Sequence, residues 1–339
     1  MPLLPALSQN GINPPFEEQS LLSPDNHLFH LAQTGDLRLP ESWLARRPVL
    51  MEKILYPAFV LLFAYLVPVL SSVLGLPLLA IPYFFPDIQQ TALGRFLFLV
   101  GAFLPMFFQI WIWLWVFERR PLWTTGMERP FLRKYARGFA LGLCMFTAVI
   151  ALLALFNSVI VETPLVGGFS LLTLAGALLL FLGWMIQGAA EEILARGFLL
   201  PVLGVRWGPL AGVVVSSLFF ASLHLFNPHL SFISLLNLAL FGFFAAFYAL
   251  YEGGLWGIFA IHAVWNWAQG NLYGFSVSGV EISNGILLDL MENGPDWLTG
   301  GLFGPEGGLV VTFVLIISLL LVWLAGRRRR EQAARLVDR

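Results

Sequence analysis

Charge is scarce in this chain. Of its 339 residues only 12% are Asp, Glu, Lys or Arg, while 58% are hydrophobic; a soluble domain carries about 25% charged residues. A chain so composed cannot cover its surface with polar groups in water, which excludes an ordinary soluble protein and points to the membrane. The formal net charge of −1 says nothing about partners, and the distribution of charge says more; nucleic acid is not an expected partner. Cysteine is nearly missing as well. The single Cys144 excludes an intrachain disulfide and a multi-cysteine metal site. No basic stretch followed by a short apolar core opens the chain, so no cleaved signal peptide is expected. The zinc-protease pattern His-Glu-x-x-His is absent. There is no Ser–Lys dyad, and Ser222 near His224 is the closest approach to a Ser–His pair in sequence. From Trp207 to Tyr251 there is no Asp, Glu, Lys or Arg at all, which makes His224 conspicuous, since little nearby can pair with it.

What is present is a series of long apolar runs. Eight stretches lie near the ~20 residues a helix needs to cross the hydrocarbon core: about 54–78, 96–117, 138–160, 169–190, 209–226, 231–251, 255–273 and 306–326. The expected fold is therefore all-α and polytopic, with about eight transmembrane helices and the lipid bilayer as its surroundings. Residues 1–48 are polar and proline-rich, with Asn13-Pro14-Pro15 and Ser23-Pro24-Asp25, and read as a water-exposed cytoplasmic arm. Arg46, Arg47 and Lys53 form a basic collar before the first span. Residues 49–137 hold two spans and a basic loop with Arg119, Arg120, Arg129, Arg133, Lys134 and Arg137. Residues 138–273 form the central membrane core, 274–305 an external loop, and 306–339 the last span and a tail opening with Arg327–Arg330. The loops near 79–95, 161–168 and 274–305 hold only Arg95. This bias, with an even span count, places both termini on the cytoplasmic side. Gly138-xxx-Gly142 fits a small-xxx-small helix contact.

Three short polar clusters interrupt the apolar core. Glu191-Glu192-Ile-Leu-Ala-Arg196 closes the fourth span. Charges at bilayer depth cost roughly 2.5–3.5 kcal/mol each by insertion scales, and those that persist tend to be functional. Residues four apart share a helix face, so Glu192 and Arg196 stack as an ion pair with a structural role. Glu191 diverges by about 100° and shares a face with Gln187. A carboxyl without a local cation in a poorly solvated place suits a general base working near neutrality. Phe220-Ala-Ser-Leu-His224 lies on the fifth span, where a lone histidine reads equally as a packed residue bonded to a backbone carbonyl or as a functional group. His262-Ala-Val-Trp-Asn266 on the seventh span stacks two polar side chains one turn apart, implying a polar interior. Asn237 and Asn157 read as interhelical hydrogen-bonding residues. A straight-helix estimate strains this picture. Counted from Arg206–Trp207, Glu191 and His224 lie roughly 20 Å or more deep, and His262, counted from Gly254, about 12 Å. Gly197, Pro201 and Gly204 are the candidate breaks in the fourth helix that would relieve the mismatch.

With those three motifs in order on separate spans, residues 138–273 resemble the CAAX protease and bacteriocin-processing family, also called Abi. These are multi-pass intramembrane proteases that include the Ras-converting CAAX endopeptidases. The family pattern of Glu-Glu-x-x-x-Arg, Phe-x-x-x-His and His-x-x-x-Asn is met by Glu191, Glu192, Arg196, Phe220, His224, His262 and Asn266. The resemblance implies Glu191 as catalytic carboxylate and His224 as a group that positions or activates water. It implies His262 and Asn266 near the oxyanion, and Glu192, Arg196 and Phe220 as structural support. The family is often called metallo-; zinc held by His224 and His262 and a metal-free glutamate mechanism both remain open. The implied substrate is a lipidated or membrane-tethered polypeptide. Two other functions compete with an endopeptidase: a non-catalytic immunity or scaffold protein of the same frame, and a transporter using the polar groups as an ion relay. Missing inverted repeats count against the transporter.

Overall fold

The computed structural model describes residues 20–35, 48–162 and 170–337. Asn13-Pro14-Pro15, Arg46, Arg47 and most of the 161–168 loop lie outside them. The described chain is almost wholly helical, as expected where no water is available to satisfy backbone groups. A short helix, α1 (His27–Ala32), precedes the membrane part. Among the described residues six helices are long and apolar enough to span a bilayer: α2 (Met51–Leu74), α3 (Ala92–Glu118), α4 (Leu132–Leu155), α5 (Leu171–Trp207), α7 (Phe232–Glu252) and the bulk of α9 (Leu309–Val337). The remaining two expected stretches are shorter. The fifth is α6 (Pro209–Ser222), 14 residues. The seventh is α8, an α-helix over Trp256–Trp267 that continues as π-helix over Ala268–Leu272. A two-stranded antiparallel ladder, β1 (Val159–Val161) with β2 (Leu290–Glu292), ties the end of α4 to the long loop before α9.

The outward faces are apolar and exposed, as at Leu62, Val69, Leu172, Phe313 and Ile316. The polar side chains Gln187, Glu192, Arg196, His262 and Asn266 are buried inside. This inversion of the soluble pattern is what a bilayer solvent selects. Small residues set the helix spacing. A Cβ added at Gly138 would lie 2.1 Å from the Gly257 carbonyl oxygen, and one at Gly142 would lie 2.9 Å from the Ile261 Cα. The Gly138-xxx-Gly142 pair is thus the seam along which α4 seats α8, the helix that carries His262 and Asn266. Gly75 and Gly101 bring α2 and α3 equally close.

Two expectations are corrected here. Residues 20–35 of the arm do not stand out in water. Leu28, Phe29 and Leu31 are buried, the Asn26 amide donates to the Leu250 carbonyl at 3.1 Å, and Phe29 fills the notch left by Gly204 of α5. Nor is the fourth helix broken at Gly197, Pro201 or Gly204. It runs unbroken from Leu171 to Trp207 and changes to π geometry over Ile193–Leu199. Arg120, counted among the loop cations, is buried and donates to Glu118 at 2.6 Å, which also accepts from Tyr56 at 2.7 Å.

Candidate active site

The mismatch between Glu191 and His262 disappears because α8 starts at the level of Gly197, not at that of Arg206–Trp207. Leu255 lies beside Gly197, where an added Cβ would meet the Leu255 Cδ1 at 2.8 Å, and its N–H donates to the Gly126 carbonyl at 2.9 Å. From that shared level, six residues back to Glu191 rise about 9 Å and seven residues on to His262 about 10.5 Å. The two helices meet at Gly188, where a Cβ would sit 3.0 Å from the Ala263 nitrogen and 3.3 Å from the His262 Cβ. Only a residue without a side chain lets the imidazole lie against the acidic turn.

Around His262 the polar groups form an ordered set. Its Nδ1 donates to Glu192 Oε1 at 2.8 Å, and its Nε2 lies 3.6 Å from Glu191 Oε2, beyond hydrogen-bond length. Glu192 Oε1 also accepts from Arg196 Nη1 at 3.1 Å. Glu192 and Arg196 are fully buried. The Arg196 guanidinium further donates to the Gly242 carbonyl at 3.1 Å and lies 4.5 Å from the Phe220 ring centroid. One carboxylate is thereby fixed by an arginine and a histidine. The other, Glu191, has its Oε2 buried with no hydrogen-bond partner. Phe220 forms an aromatic plate between Arg196 and both histidines, its ring centroid 5.0 Å from that of His224 and 5.9 Å from that of His262.

His224 sits in the turn just past α6. Its Nδ1 is 2.9 Å from the Phe220 carbonyl oxygen. A carbonyl only accepts, so Nδ1 carries the hydrogen and Nε2 is the atom left for chemistry. Ser222 is committed elsewhere, donating to the Phe219 carbonyl at 2.7 Å and bonded to Tyr65 at 2.8 Å, so it forms no dyad with His224. Asn266 donates to Gln187 Oε1 at 2.9 Å and keeps a second N–H. Two hollows meet at these groups. One is a small hollow lined by His224, His262 and Asn266; the other, a larger open cleft, is lined by Glu191, His224 and Asn266. All four sequence-expected residues therefore line one or the other of two adjoining hollows, which share His224 and Asn266, with Glu191 on the open cleft and His262 on the smaller hollow.

Residues 170–268, which contain every one of these groups, match the family model Rce1-like, type II CAAX prenyl endopeptidase Rce1-like. The resemblance to the CAAX proteases is borne out over this segment. No curated protein matches the chain, and no solved structure does. The Rce1-like segment is of a protease family, and in this chain it lies within a multi-pass membrane protein.

The Rce1-like segment does not present the donor set of a catalytic zinc, which takes three protein ligands at about 2 Å. Among the described residues no three His, Cys, Asp or Glu side chains converge to hold a metal. With His262 Nδ1 donating to Glu192 and His224 Nδ1 to a carbonyl, the nitrogen donors left are the two Nε2 atoms. Zinc held by the two histidines alone is one ligand short of that pattern, and no step is derived through one.

One site residue was not foreseen in the sequence and lies outside the Rce1-like match. Glu306, in a short turn over Pro305–Gly307 just before α9, lines the same hollow as His224 and His262 and is only 8% exposed. It accepts the Ser278 N–H. Asn237 holds this turn in place by donating to the Glu306 and Gly308 carbonyls at 2.8 and 2.9 Å, while Thr312 donates to Asn237 at 2.6 Å. Asn237 is thus the interhelical clamp its sequence reading anticipated. Burial pushes the Glu306 carboxyl above the usual carboxylate range, against the opposing pull of the Ser278 hydrogen bond and of His224 and His262. A carboxyl raised on folding ionises first in the unfolded chain, so this group's contribution is most favourable below its ordinary value of 4.5. It is lost as pH rises from there through the folded value. Glu306→Gln is expected to flatten that slope: thermal midpoints in detergent measured upward from pH 4.5 fall less steeply in the variant than in the wild type.

Proposed function

We propose that this protein is an intramembrane endopeptidase that hydrolyses a peptide bond in a lipidated or membrane-tethered polypeptide, with Glu191 activating the water. The observation that carries this reading is the meeting of an uncommitted carboxylate, two imidazoles and an amide where two adjoining hollows share His224 and Asn266 among the membrane helices. Lipid excludes the second reactant of hydrolysis, and the hollows supply a place for it. Glu191 takes the proton of a water lying between it and the Nε2 atoms of His224 and His262. The hydroxide adds to the scissile carbonyl carbon, and the developing oxyanion is stabilised by the free Asn266 N–H and by a histidine. The proton held by Glu191 then passes to the departing amine as the C–N bond breaks. Glu192 and Arg196 position His262 and take no part in bond making.

His224→Ala and His262→Ala are each expected to abolish cleavage while the protein still folds. The check is proteomics of newly formed termini in membranes carrying wild type, either variant, or Glu191→Gln. Termini present only with the wild type support the reading; full activity in one variant removes that residue from the mechanism. Identical termini in all four samples, with a phenotype indifferent to Glu191→Gln, favour a scaffold or immunity role for the same frame.

A further inference from the structure

At the end of the bundle where Arg327–Arg330 lie, a crevice opens between α4, α7 and α9. It shares no lining residue with the two hollows at Glu191 and His262. Its inner wall is apolar, with Leu141 and Met145 on α4, Phe244 on α7 and Leu321 on α9. Arg137, Leu141 and Met145 follow at intervals of four on one face of α4, so this wall runs about 12 Å inward from the level of Arg137. One leaflet of a ~30 Å hydrocarbon core is about 15 Å deep. A crevice of that depth suits a lipid chain entering from one surface, not a helix crossing the whole core.

The mouth is polar. Arg137 Nη2 donates to Glu252 Oε2 at 2.7 Å, and Glu252 Oε1 accepts the Gly257 N–H of α8 at 2.8 Å. Glu252 is thus buried with both oxygens engaged, whereas the Arg137 side chain is half exposed and has N–H groups to spare. Tyr248 borders the crevice, and its buried hydroxyl has no hydrogen-bond partner. On α9, Arg329 lies 4.2 Å from the ring centroid of Tyr251, another lining residue, and donates to the Tyr251 carbonyl at 3.0 Å. Among the described residues Arg329 has no carboxylate within ion-pair reach; Glu331, the one acid of α9, lies 3.8 Å from Arg327. The mouth therefore holds more cation than acid. A zwitterionic headgroup would find partners for its phosphate and none for its ammonium, while an anionic one is satisfied throughout. We propose that this crevice binds one anionic phospholipid, its acyl chain between α4, α7 and α9 and its phosphate at the mouth beside Arg137 and Arg329. The Tyr248 hydroxyl supplies a donor to the same oxygens. Because Glu252 ties Arg137 to the first turn of α8, the lipid braces the seat of that helix. The assignment is independent of the endopeptidase reading.

The test uses purified full-length protein in detergent, with dioleoylphosphatidylglycerol and dioleoylphosphatidylcholine as probes. Native mass spectrometry counts the lipids retained, and the thermal midpoint is followed as either lipid is added. The wild type is expected to hold a single phosphatidylglycerol about tenfold tighter than phosphatidylcholine, in line with one or two guanidiniums at a membrane surface, with a matching rise in midpoint. Arg329→Gln loses most of that preference, whereas Arg335→Gln, farther along the same helix and outside the crevice, keeps it. Ala325→Phe fills the crevice and weakens retention of both lipids. Arg137 is left in place because its loss would strand the buried Glu252. Equal retention of the two lipids by the wild type overturns the proposal. So does an equal loss in Arg329→Gln and Arg335→Gln, the mark of diffuse attraction to a basic tail, and so does full retention in Ala325→Phe. Midpoints without lipid are the folding control; should Ala325→Phe fall short of it, the two arginine variants decide alone.

Discussion

Glu191→Gln is expected to reduce cleavage by about 10²–10⁴-fold, the contribution of a positioned general base, without unfolding the protein. The amide keeps the size and shape of the carboxyl but cannot accept a proton from water. Nothing in the fold depends on the lost charge. Glu191 Oε2 has no hydrogen-bond partner, its distance of 3.6 Å to His262 Nε2 is not a bond, and the neighbouring Arg196 is engaged by Glu192. The variant is therefore expected to match the wild type in thermal midpoint while losing turnover, with KM little changed because the carboxylate acts on water rather than on the ground-state peptide. A variant that cleaves at the wild-type rate moves the base elsewhere. One that fails to fold makes Glu191 a structural acid.

The adjacent residue is expected to behave in the opposite way. Glu192→Gln leaves Arg196, fully buried, with no counter-charge, and breaking a buried pair from one side costs about 3–5 kcal/mol. The cost appears as a lowered midpoint in thermal or denaturant unfolding in detergent. Removing both charges with Glu192→Leu and Arg196→Met is expected to recover much of the loss, because the apolar replacements need no compensation inside the helix bundle. Activity does not return in that double variant, since His262 Nδ1 then has no acceptor and its ring is no longer held against Glu191. Stability restored without turnover separates the two glutamates: one maintains geometry and the other carries out chemistry. A double variant no more stable than Glu192→Gln would mean that the pair contributes through shape alone.

The sequence revealed the site better than it revealed how the site is built. Residue spacing made Glu192 and Arg196 neighbours, because four residues on a helix give one face whatever surrounds it. The polar clusters stood out because apolar runs offer no other reason for acids and imidazoles. The level at which α8 begins was not legible. It depends on Leu255 fitting against Gly197 and bonding to Gly126, contacts between segments far apart in sequence. The length of α6 was overestimated for a related reason. Residues 223–226 are as apolar as the helix before them, yet they turn, with Leu225 and Phe226 exposed, and hydropathy does not distinguish an apolar turn from the end of a helix. Glu306 escaped because it falls at the junction of the external loop and the last span, and because its partner Ser278 lies 28 residues back at the start of the same connection. The docking of Leu28 and Phe29 was hidden by the polar company they keep in the arm, although His27–Ala32 has the apolar spacing of a helix with a buried face.

The π-helical stretch over Ile193–Leu199 carries a consequence for the phase of the long α5 rod. A wider coil stores an extra residue, and deleting any one position there would let the segment tighten into regular helix with little change in overall length. Everything beyond Leu200 would then keep nearly its present phase, whereas the same deletion in a regular stretch of α5 would turn it by about 100°, taking Arg206 off the Tyr56 ring and Gly204 away from Phe29. The acidic turn upstream would keep its orientation. The swelling thus works as slack, absorbing one residue without changing the angle between the half of the helix that holds the acid and the half that grips the amino-terminal arm.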